Sequence, residues 1–390
     1  MLTSYQFMLS EIAGRYGKDK ETWDNRVLFT LVHRDTLETL TPTAKEPILF
    51  EAAVRALRDI DNGNPSGYGC MFDCTASGMQ LLSILTGDTS AAAICNVTGV
   101  NTPTDPYTTI YTAMNKKLGV GNTLERDDVK QAILTSLYGS EKEPEKLFDS
   151  VELEAFFETM GEVTPLCWEL NQYLLDFQKT SDALKYSWVM PDNFHVDSPV
   201  MEVIKEQVEC LGKTYVVSRK VNQAHHRSRA LGANMTHSVE SFVLREYVRR
   251  TNLSKKVRRT VEEALDNPIG DKESTMVDTL WELYEESGYL SARILEYING
   301  NTLKPSMVPD IRKLLDSCSW VTFPTKCTHD CLSAHPNNAS ELLKVYREQY
   351  ALLSESDMLS YLLSQILEEP VELNITKFGN EIRKATNILS

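Results

Sequence analysis

Residues 70–87 predict a short strand that turns into a helix at an aspartate. The run CMFD has the apolar character of a strand, and TASGMQLLSILTG then follows helical periodicity as far as Gly87, which fits a C-terminal glycine cap. We therefore expect Asp73 to lie at the end of a strand, where the chain enters a helix.

A second aspartate has a similar setting near the other end of the chain. In CTHDC, apolar strands flank His329 and Asp330, so the pair is expected at the tip of a hairpin. Each aspartate lies between two cysteines spaced four apart, and four cysteines can form a tetrahedral zinc site. The four are Cys70, Cys74, Cys327 and Cys331. Their three intervening residues and apolar surroundings favour buried small side chains instead.

The two carboxylates offer a different metal site if the fold brings them together. Adjacent anions repel, which raises the pKa of one of them unless divalent cations lie between. Mg²⁺ prefers oxygen ligands, and two such ions can hold both the attacking and the leaving oxygen of a phosphoryl transfer. Asp73 and Asp330 are thus candidate ligands for two Mg²⁺ ions, and two unrelated aspartates are the alternative.

Helical periodicity dominates the chain, which predicts a mostly helical α+β fold with few, short strands. The segment TLERDDVKQAILTSLYG predicts a helix with Arg126 and Lys130 on one face and Tyr138 two turns further on. Later in the chain, Asn338 with Glu341 predicts a capping box at the start of another helix.

Charge is distributed unevenly along the sequence. The net charge of −15 disfavours a nucleic-acid partner, because lysine and arginine drive phosphate binding. Between Lys213 and Arg259, however, there are twelve basic residues and only two acids. This basic band begins in a two-stranded ribbon expected around Gly212. Such a band can steer a polyanion to one face of the protein, and a solvated helix surface is the alternative.

Composition also bears on the compartment. The sequence has no secretory signal and no apolar run of about 20 residues, so we expect a cytoplasmic protein without a membrane partner. Its eight cysteines are then expected to be reduced. A chain of 390 residues with 42% hydrophobic content can form two or three lobes with cores of their own.

Three motifs, in order, resemble the single-subunit, phage and mitochondrial type of DNA-dependent RNA polymerase. The stretch DCTASGMQ from Asp73 to Gln80 is similar to the first motif of the family, and His329-Asp330 is similar to the third. The second motif is matched without a gap by Arg126, Lys130 and Tyr138-Gly139-Ser140. Weaker matches are YGKDKETWDNRV around Lys20, WVMPDNF, and ANMTHSVES at His237.

The resemblance implies a metal site and a phosphate site. Asp73 and Asp330 would bind the two Mg²⁺ ions, with the backbone carbonyl of Cys74 as a further ligand. Positive side chains would neutralise the triphosphate as the bond to pyrophosphate breaks. These side chains are Arg126, Lys130 and Lys20.

The resemblance also implies a site that selects the sugar of the nucleotide. Tyr138 and His237 would lie beside the ribose, and Gly139 would contribute to nucleotide binding. Related DNA polymerases have a bulky glutamate at the position of Gly78, which blocks a 2′-hydroxyl, whereas glycine leaves that space open. RNA synthesis is therefore favoured over DNA synthesis.

The fold implied by the resemblance is the palm and fingers of a right-hand polymerase, with short antiparallel strands in the palm. The expected division is palm at 1–88, fingers at 89–236, palm again at 237–251 and 318–390, and a helical insertion at 252–317. The ribbon at about 200–223 takes the position of the family's specificity loop. Because its following connection is shorter here, promoter contacts are not carried over.

Two departures from the family matter for partners. Cys331 stands where members usually have a serine, a change of one small side chain for another. The chain also begins at about the start of the palm, so the promoter-binding N-terminal domain and the thumb are expected to be lacking. A second polymerase subunit would then supply them, as in the split RNA polymerases of some bacterial viruses, and the protein would act in the bacterial host cytoplasm.

The function implied is DNA-templated RNA synthesis by two-metal nucleotidyl transfer. The other expected partners are a DNA template, the RNA transcript and ribonucleoside triphosphates, and a promoter-melting or single-stranded-DNA-binding factor is a further candidate. Alternatives are a DNA polymerase or primase of the same palm architecture and a noncatalytic nucleic-acid-binding or zinc-containing structural protein.

Overall fold

Helices form most of the chain in the computed structural model, which describes residues 2–99, 102–119, 121–139, 142–226 and 228–389. The α-helices of the first half are α1 (Ser4–Ala13), α2 (Trp23–Val32), α3 (Pro47–Asp61), α4 (Ser77–Thr86), α5 (Thr89–Ile94), α6 (Pro106–Leu118), α7 (Arg126–Leu137), α8 (Lys142–Leu147), α9 (Ser150–Val163) and α10 (Pro165–Thr180). Those of the second half are α11 (Ala230–Thr251), α12 (Lys255–Asp266), α13 (Thr275–Ser287), α14 (Val308–Asp316), α15 (Ala339–Glu355), α16 (Met358–Leu367) and α17 (Gly379–Lys384).

The strands are short and pair antiparallel in three small sheets. They are β1 (Cys70–Phe72), β2 (Lys185–Met190), β3 (Phe194–Pro199), β4 (Met201–Cys210), β5 (Lys213–Ala224), β6 (Lys326–Thr328) and β7 (Cys331–Ala334). One sheet has the order β1-β7-β6, and the other two are the pairs β2–β3 and β4–β5. The mostly helical α+β character predicted from the sequence is therefore confirmed.

The sheet β1-β7-β6 joins two distant parts of the chain. Phe72 pairs with Leu332, and Cys70 pairs with Ala334. All four side chains are buried, because alternate residues of each strand point to the same core-facing side of the sheet. Helices α1, α4 and α15 contribute to the same hydrophobic core. The pairing is what brings the two ends of the chain into one site.

The sequence predicts the end of α4 correctly but not the start of α15. Helix α4 ends as predicted at Gly87, which has φ 72° in the left-handed region. A β-carbon there would lie 2.8 Å from the backbone of Thr376, so both the backbone angle and this close contact require glycine. The capping box predicted at Asn338 is wrong, because its side chain makes no cap hydrogen bond. A 3₁₀ turn at Pro336–Asn338 precedes α15 instead, capped by the His335 side chain.

The segment 252–317 has a hydrophobic core of its own, which lies between α12, α13, α14 and the 3₁₀ turn Ala292–Glu296. Its fully buried members include Val261, Leu280, Ile294, Leu303 and Ile311. We refer to residues 252–317 as the helical block. Its status as an insertion into a palm stays a prediction.

Buried charges on α11 fix the helical block to the rest of the protein. Glu246, which is fully buried, accepts hydrogen bonds from the Ser291 hydroxyl, from the Ala292 amide at 2.8 Å and from Arg250 at 3.2 Å. Arg250 is also fully buried and donates to the Leu290 carbonyl at 3.2 Å. We call Glu246 and Arg250, together with Asp192 and the two arginines that bond to it, the docking cluster. The two arginines are Arg245 and Arg249.

The ribbon predicted around Gly212 is formed by β4 and β5. Leu211 and Gly212 make its two-residue turn, with φ of 53° and 73°. Side chains on both faces of the ribbon are exposed, including Tyr215 and Val216. No helix in the described ranges is both long and apolar enough to cross a bilayer.

Candidate active site

The fold brings Asp73 and Asp330 together, although they are far apart in sequence. Asp73 is the residue after β1, and Asp330 lies with His329 in the two-residue turn between β6 and β7. His329 has φ 54°, which closes the turn in the left-handed region. The hairpin tip predicted for this pair is thus present in the structure.

The electrostatics of Asp73 indicate that the Asp330 carboxylate lies near it. Its Oδ1 accepts a hydrogen bond from the Cys74 amide at 3.1 Å, and its side chain opens into a cleft. Surrounding protein atoms disfavour its charge, and the neighbouring charge of Asp330 adds to this effect, so the pKa of Asp73 is raised. Two hard oxygen ligands that repel each other in this way suit a divalent cation such as Mg²⁺.

Cysteines at the same site serve other roles in the structure. Cys70 is buried on β1, and Cys327 is exposed on β6. The Cys74 thiol lies 3.2 Å from the Tyr346 hydroxyl, and its backbone bridges to Leu389. Within the described residues, no three His, Cys, Asp or Glu side chains are grouped as a metal site.

One side of Asp73 is lined by positive side chains. A cleft of about 190 Å³ there includes Arg15 and Lys20 from the region of α1 and the turn after it. The Arg15 guanidinium bonds to Glu11 at 2.9 Å and to Glu46 at 2.6 Å. Glu11 is buried and also accepts from the Tyr68 hydroxyl at 3.0 Å. Lys20, predicted from its motif, therefore lies near Asp73, and Arg15 is an additional cation that the motifs did not indicate.

The other side of the carboxylates is lined by Tyr138 and Gly78. A second cleft, of about 180 Å³, includes these two residues with Tyr107 and Asp330. A β-carbon at Gly78 would lie 2.9 Å from the Tyr138 hydroxyl, so glycine is what permits the close approach of this tyrosine to α4. The Tyr138 ring also packs at 4.9 Å from the His237 ring. The predicted sugar-selecting residues are thus neighbours, and the space beside Gly78 holds the Tyr138 hydroxyl.

Helix α6 holds the two cations of α7 in place. Arg126 bonds to the Asp105 carboxylate at 2.5 Å and to the Thr108 hydroxyl at 2.9 Å. The Lys130 ammonium lies 5.5 Å from the centre of the Tyr107 ring, within the range of a cation–π contact. The first turn of α6 therefore positions the two α7 cations that were predicted to bind the triphosphate. The sequence of α6 did not predict this role.

The charge of Lys20 also affects the pKa of the Asp105 carboxyl. Burial opposes its ionisation, but hydrogen bonds from Thr108 and Arg126, aided by the charge of Lys20, hold its pKa below the usual range. Lys20 likewise acts on Asp73. Lys20 and Arg126, predicted from two separate motifs, therefore both act on the Asp105 carboxylate.

Gly139 and Glu240 complete the description of the site. Gly139 follows α7 with φ 83°, packed against Leu175, whereas Ser140 of the same motif lies outside the described residues. Glu240 follows His237 by one turn of α11. Burial, and then the charge of Asp330, raise the pKa of Glu240, which also hydrogen-bonds to Ser77. In the sequence, only the three-residue spacing of Glu240 from His237 indicates that the two side chains share one face of the helix.

Comparison with known proteins is consistent with this geometry. Residues 3–174 match the family model of DNA-dependent RNA polymerase. No curated protein matches the chain. The matched residues include Asp73, Gly78, Arg126, Lys130 and Tyr138, whereas His237 and Asp330 lie beyond them. Residues 3–174, with most of the candidate active site, are therefore similar to the DNA-dependent RNA polymerase family.

Proposed function

We propose that this chain is the catalytic subunit of a DNA-directed RNA polymerase. The observation that carries the proposal is the proximity of Asp73 to Asp330 at the sheet β1-β7-β6, beside Tyr138 and Tyr107, the second of which contacts Lys130. The match of residues 3–174 to DNA-dependent RNA polymerases supports nucleotidyl transfer as the reaction class. In this reaction the 3′-hydroxyl of the transcript attacks the α-phosphate of a ribonucleoside triphosphate, and pyrophosphate leaves.

The residues present suit Mg²⁺, because the carboxylates of Asp73 and Asp330 and the Cys74 carbonyl offer hard oxygens, the donors that this ion prefers. Asp73, Asp330 and the Cys74 carbonyl would hold two such ions. Bound Mg²⁺ would lower the pKa of the attacking hydroxyl and neutralise charge on the phosphates. Carboxylates that repel each other without a cation are prepared to bind one, since binding relieves the repulsion.

The cations on either side of the carboxylates would receive the triphosphate. Lys130 and Arg126 approach from α7, and Lys20 approaches from the opposite cleft. Because Tyr107, Thr108 and Asp105 already orient the two α7 cations, little reorganisation is needed when phosphate charge develops. Arg126 would exchange part of its bonding to Asp105 for bonds to phosphate.

Selection of ribose would depend on Tyr138, His237 and Gly78. The two rings stack beside α4, and the absence of a side chain at Gly78 leaves the Tyr138 hydroxyl free to meet the sugar. A 2′-hydroxyl could then bond to this hydroxyl, whereas a deoxyribose would leave it unpaired, a difference that polar sites use for discrimination.

A split, two-chain enzyme is the form of this function that we favour. A second polymerase subunit with an N-terminal domain and thumb would hold the template and transcript. The ribbon β4–β5 is exposed, but we assign no promoter contacts to it.

Primer extension tests the reaction. The purified chain, with and without co-purifying protein, is given a primed DNA template, Mg²⁺ and either ribonucleotides or deoxyribonucleotides. We expect extension with ribonucleotides, and no extension by a variant that carries both Asp73→Asn and Asp330→Asn. A clear preference for deoxyribonucleotides would identify a DNA polymerase instead. Binding of template without any extension, in the presence of every co-purifying protein, would favour a noncatalytic nucleic-acid-binding protein.

A further inference from the structure

The segment between α14 and β6 displays an indole ring on the protein surface. Trp320 is 67% exposed and the adjacent Val321 is 58% exposed. The other tryptophans of the chain all lie in described parts and are buried or half-buried. A large aromatic surface left in water is unfavourable for an isolated protein, so its exposure calls for an explanation in terms of binding.

The Trp320 ring is held rigidly on one face. The Arg258 guanidinium lies 4.2 Å from the ring centre, within cation–π distance. The same guanidinium donates to the carbonyls of Cys318 at 3.2 Å and Ser319 at 2.9 Å, and the Ser319 amide donates to the Arg250 carbonyl at 2.8 Å. Arg258 is itself buried. The segment is therefore fixed to α11 and α12, and the ring is presented with its other face available.

Exposed lysines lie on the same helix as Arg258, in its first turn. The Thr322 hydroxyl donates to the Leu253 carbonyl at 3.3 Å, which places the segment next to the start of α12. Lys255 and Lys256 occupy the first turn of that helix and are exposed. Neither makes an ion pair with any residue that the structure describes. We call Trp320, Lys255 and Lys256 the Trp320 patch.

We propose that the Trp320 patch binds single-stranded nucleic acid. An aromatic face on which a base stacks, bordered by cations that contact phosphates, is the usual composition of such sites. A protein partner would also use tryptophan, but protein interfaces are depleted in lysine, and uncompensated lysines favour a polyanion. This inference goes beyond the proposed function, because it requires neither the carboxylate pair nor nucleotidyl transfer.

The position of the Trp320 patch indicates where such a strand would run. Trp320 precedes Asp330 by ten residues, a span of at most ~33 Å if fully extended. Exposed Lys326 on β6 lies between them. A strand bound on Trp320 would therefore lie within a few nucleotides of the hairpin that carries Asp330.

The test measures binding of fluorescein-labelled dT20 and U20 to the full chain by anisotropy at low salt. Stacking is worth about 1–3 kcal/mol per base, so Trp320→Ala is expected to weaken binding about tenfold or more. The double variant Lys255→Gln, Lys256→Gln should weaken binding. It should also reduce the slope of log K against log salt concentration by the equivalent of up to about two phosphate contacts. Matched controls are Tyr173→Ala, an exposed aromatic on α10, and Lys313→Gln, an exposed lysine on α14.

Two results would overturn the proposal. Affinity of the Trp320→Ala variant within twofold of the unmodified chain would exclude stacking, and equal loss in both control variants would exclude a localised site. If Trp320→Ala fails to fold, as judged by circular dichroism, the double lysine variant decides. The proposed function is tested separately, because the Asp73→Asn, Asp330→Asn variant should lose synthesis yet bind dT20 as the unmodified chain does.

Discussion

The carboxylate pair and the docking cluster use acidic side chains in opposite ways. In the pair, Asp73 and Asp330 face each other, and the pKa of Asp73 is raised by burial and by this repulsion. In the docking cluster, Glu246 is fully buried with Arg250, and Asp192 accepts from Arg245 at 2.7 Å. Nearby cations only partly offset the repulsion at Asp73, whereas the carboxylates of the cluster are paired and would be costly to leave unpaired. On our proposal, the first pair is retained for metal binding and the cluster for structure.

Removal of either member of the pair should have the largest effect on activity. We expect Asp73→Ala or Asp330→Ala to reduce nucleotide incorporation on the order of 10³-fold or more, because several kcal/mol of transition-state stabilisation is lost. Because each change also removes a repulsion, the melting temperature in EDTA should stay constant or rise. A fall in the melting temperature together with activity would show that Asp73 and Asp330 are structural residues like those of the docking cluster.

Removal of a charge from the docking cluster should have the largest effect on stability. Glu246→Gln leaves the buried Arg250 without its anion, and we expect the free energy of unfolding to fall by about 3–5 kcal/mol. Urea denaturation measures this change. Glu263→Gln, which removes the exposed partner of Arg259, is the control and should leave stability unchanged. Equal effects of the two substitutions would refute the structural role of Glu246.

A methyl group at Gly78 tests the sugar-selecting side of the cleft. In Gly78→Ala the new β-carbon would meet the Tyr138 hydroxyl at 2.9 Å, so we expect the tyrosine to move and ribose selectivity to fall about tenfold. The ratio of kcat/KM for matched ribo- and deoxyribonucleotides measures selectivity. Combining Gly78→Ala with Tyr138→Phe removes the clashing oxygen, so the double variant should lose little more than Tyr138→Phe alone. Fully additive losses would argue against this contact.

The hydrogen bond between Asp105 and Arg126 predicts a smaller effect, on the KM for the nucleotide. Asp105→Asn weakens a charge-assisted hydrogen bond, and we expect KM for the nucleotide to rise roughly fivefold while kcat changes little. Asp127→Asn is the control, since that carboxylate is 92% exposed and lies 3.8 Å from Arg126. Steady-state kinetics on a primed template separate the two constants. An unchanged KM would mean that Asp105 does not position this arginine.

The smallest expected effect is on acid stability. Burial opposes ionisation of Asp192, but Arg245 and Arg249 outweigh it and hold its pKa below 3.8. The stability that Asp192 contributes is therefore present above its unfolded pKa and is lost as the pH falls through the lower folded value. The difference in melting temperature between the unmodified chain and Asp192→Asn should shrink over this acidic range. A constant difference would show that the carboxylate charge is not what matters.

The sequence predicted those parts of the site that depend on one segment at a time. Asp73 after a strand, His329-Asp330 in a turn and the stripe on α7 all follow from local periodicity. The residues that support them depend on contacts between segments: Glu46 pairs with Arg15, and Asp105 pairs with Arg126. No local pattern encodes such pairs. The capping box at Asn338 failed because Pro336 begins a 3₁₀ turn that leaves this residue in a helical conformation.

The sheet that carries the carboxylates has a consequence for the growing chain during protein synthesis. Among the described strands, β1 pairs with β7 alone, so it has no partner until the ribosome has made the segment around Leu332. At about 5–20 residues per second, this interval lasts tens of seconds. The three-residue length of β1 limits its association with other nascent chains during this time. Asp73 and Asp330 therefore come together only late in synthesis.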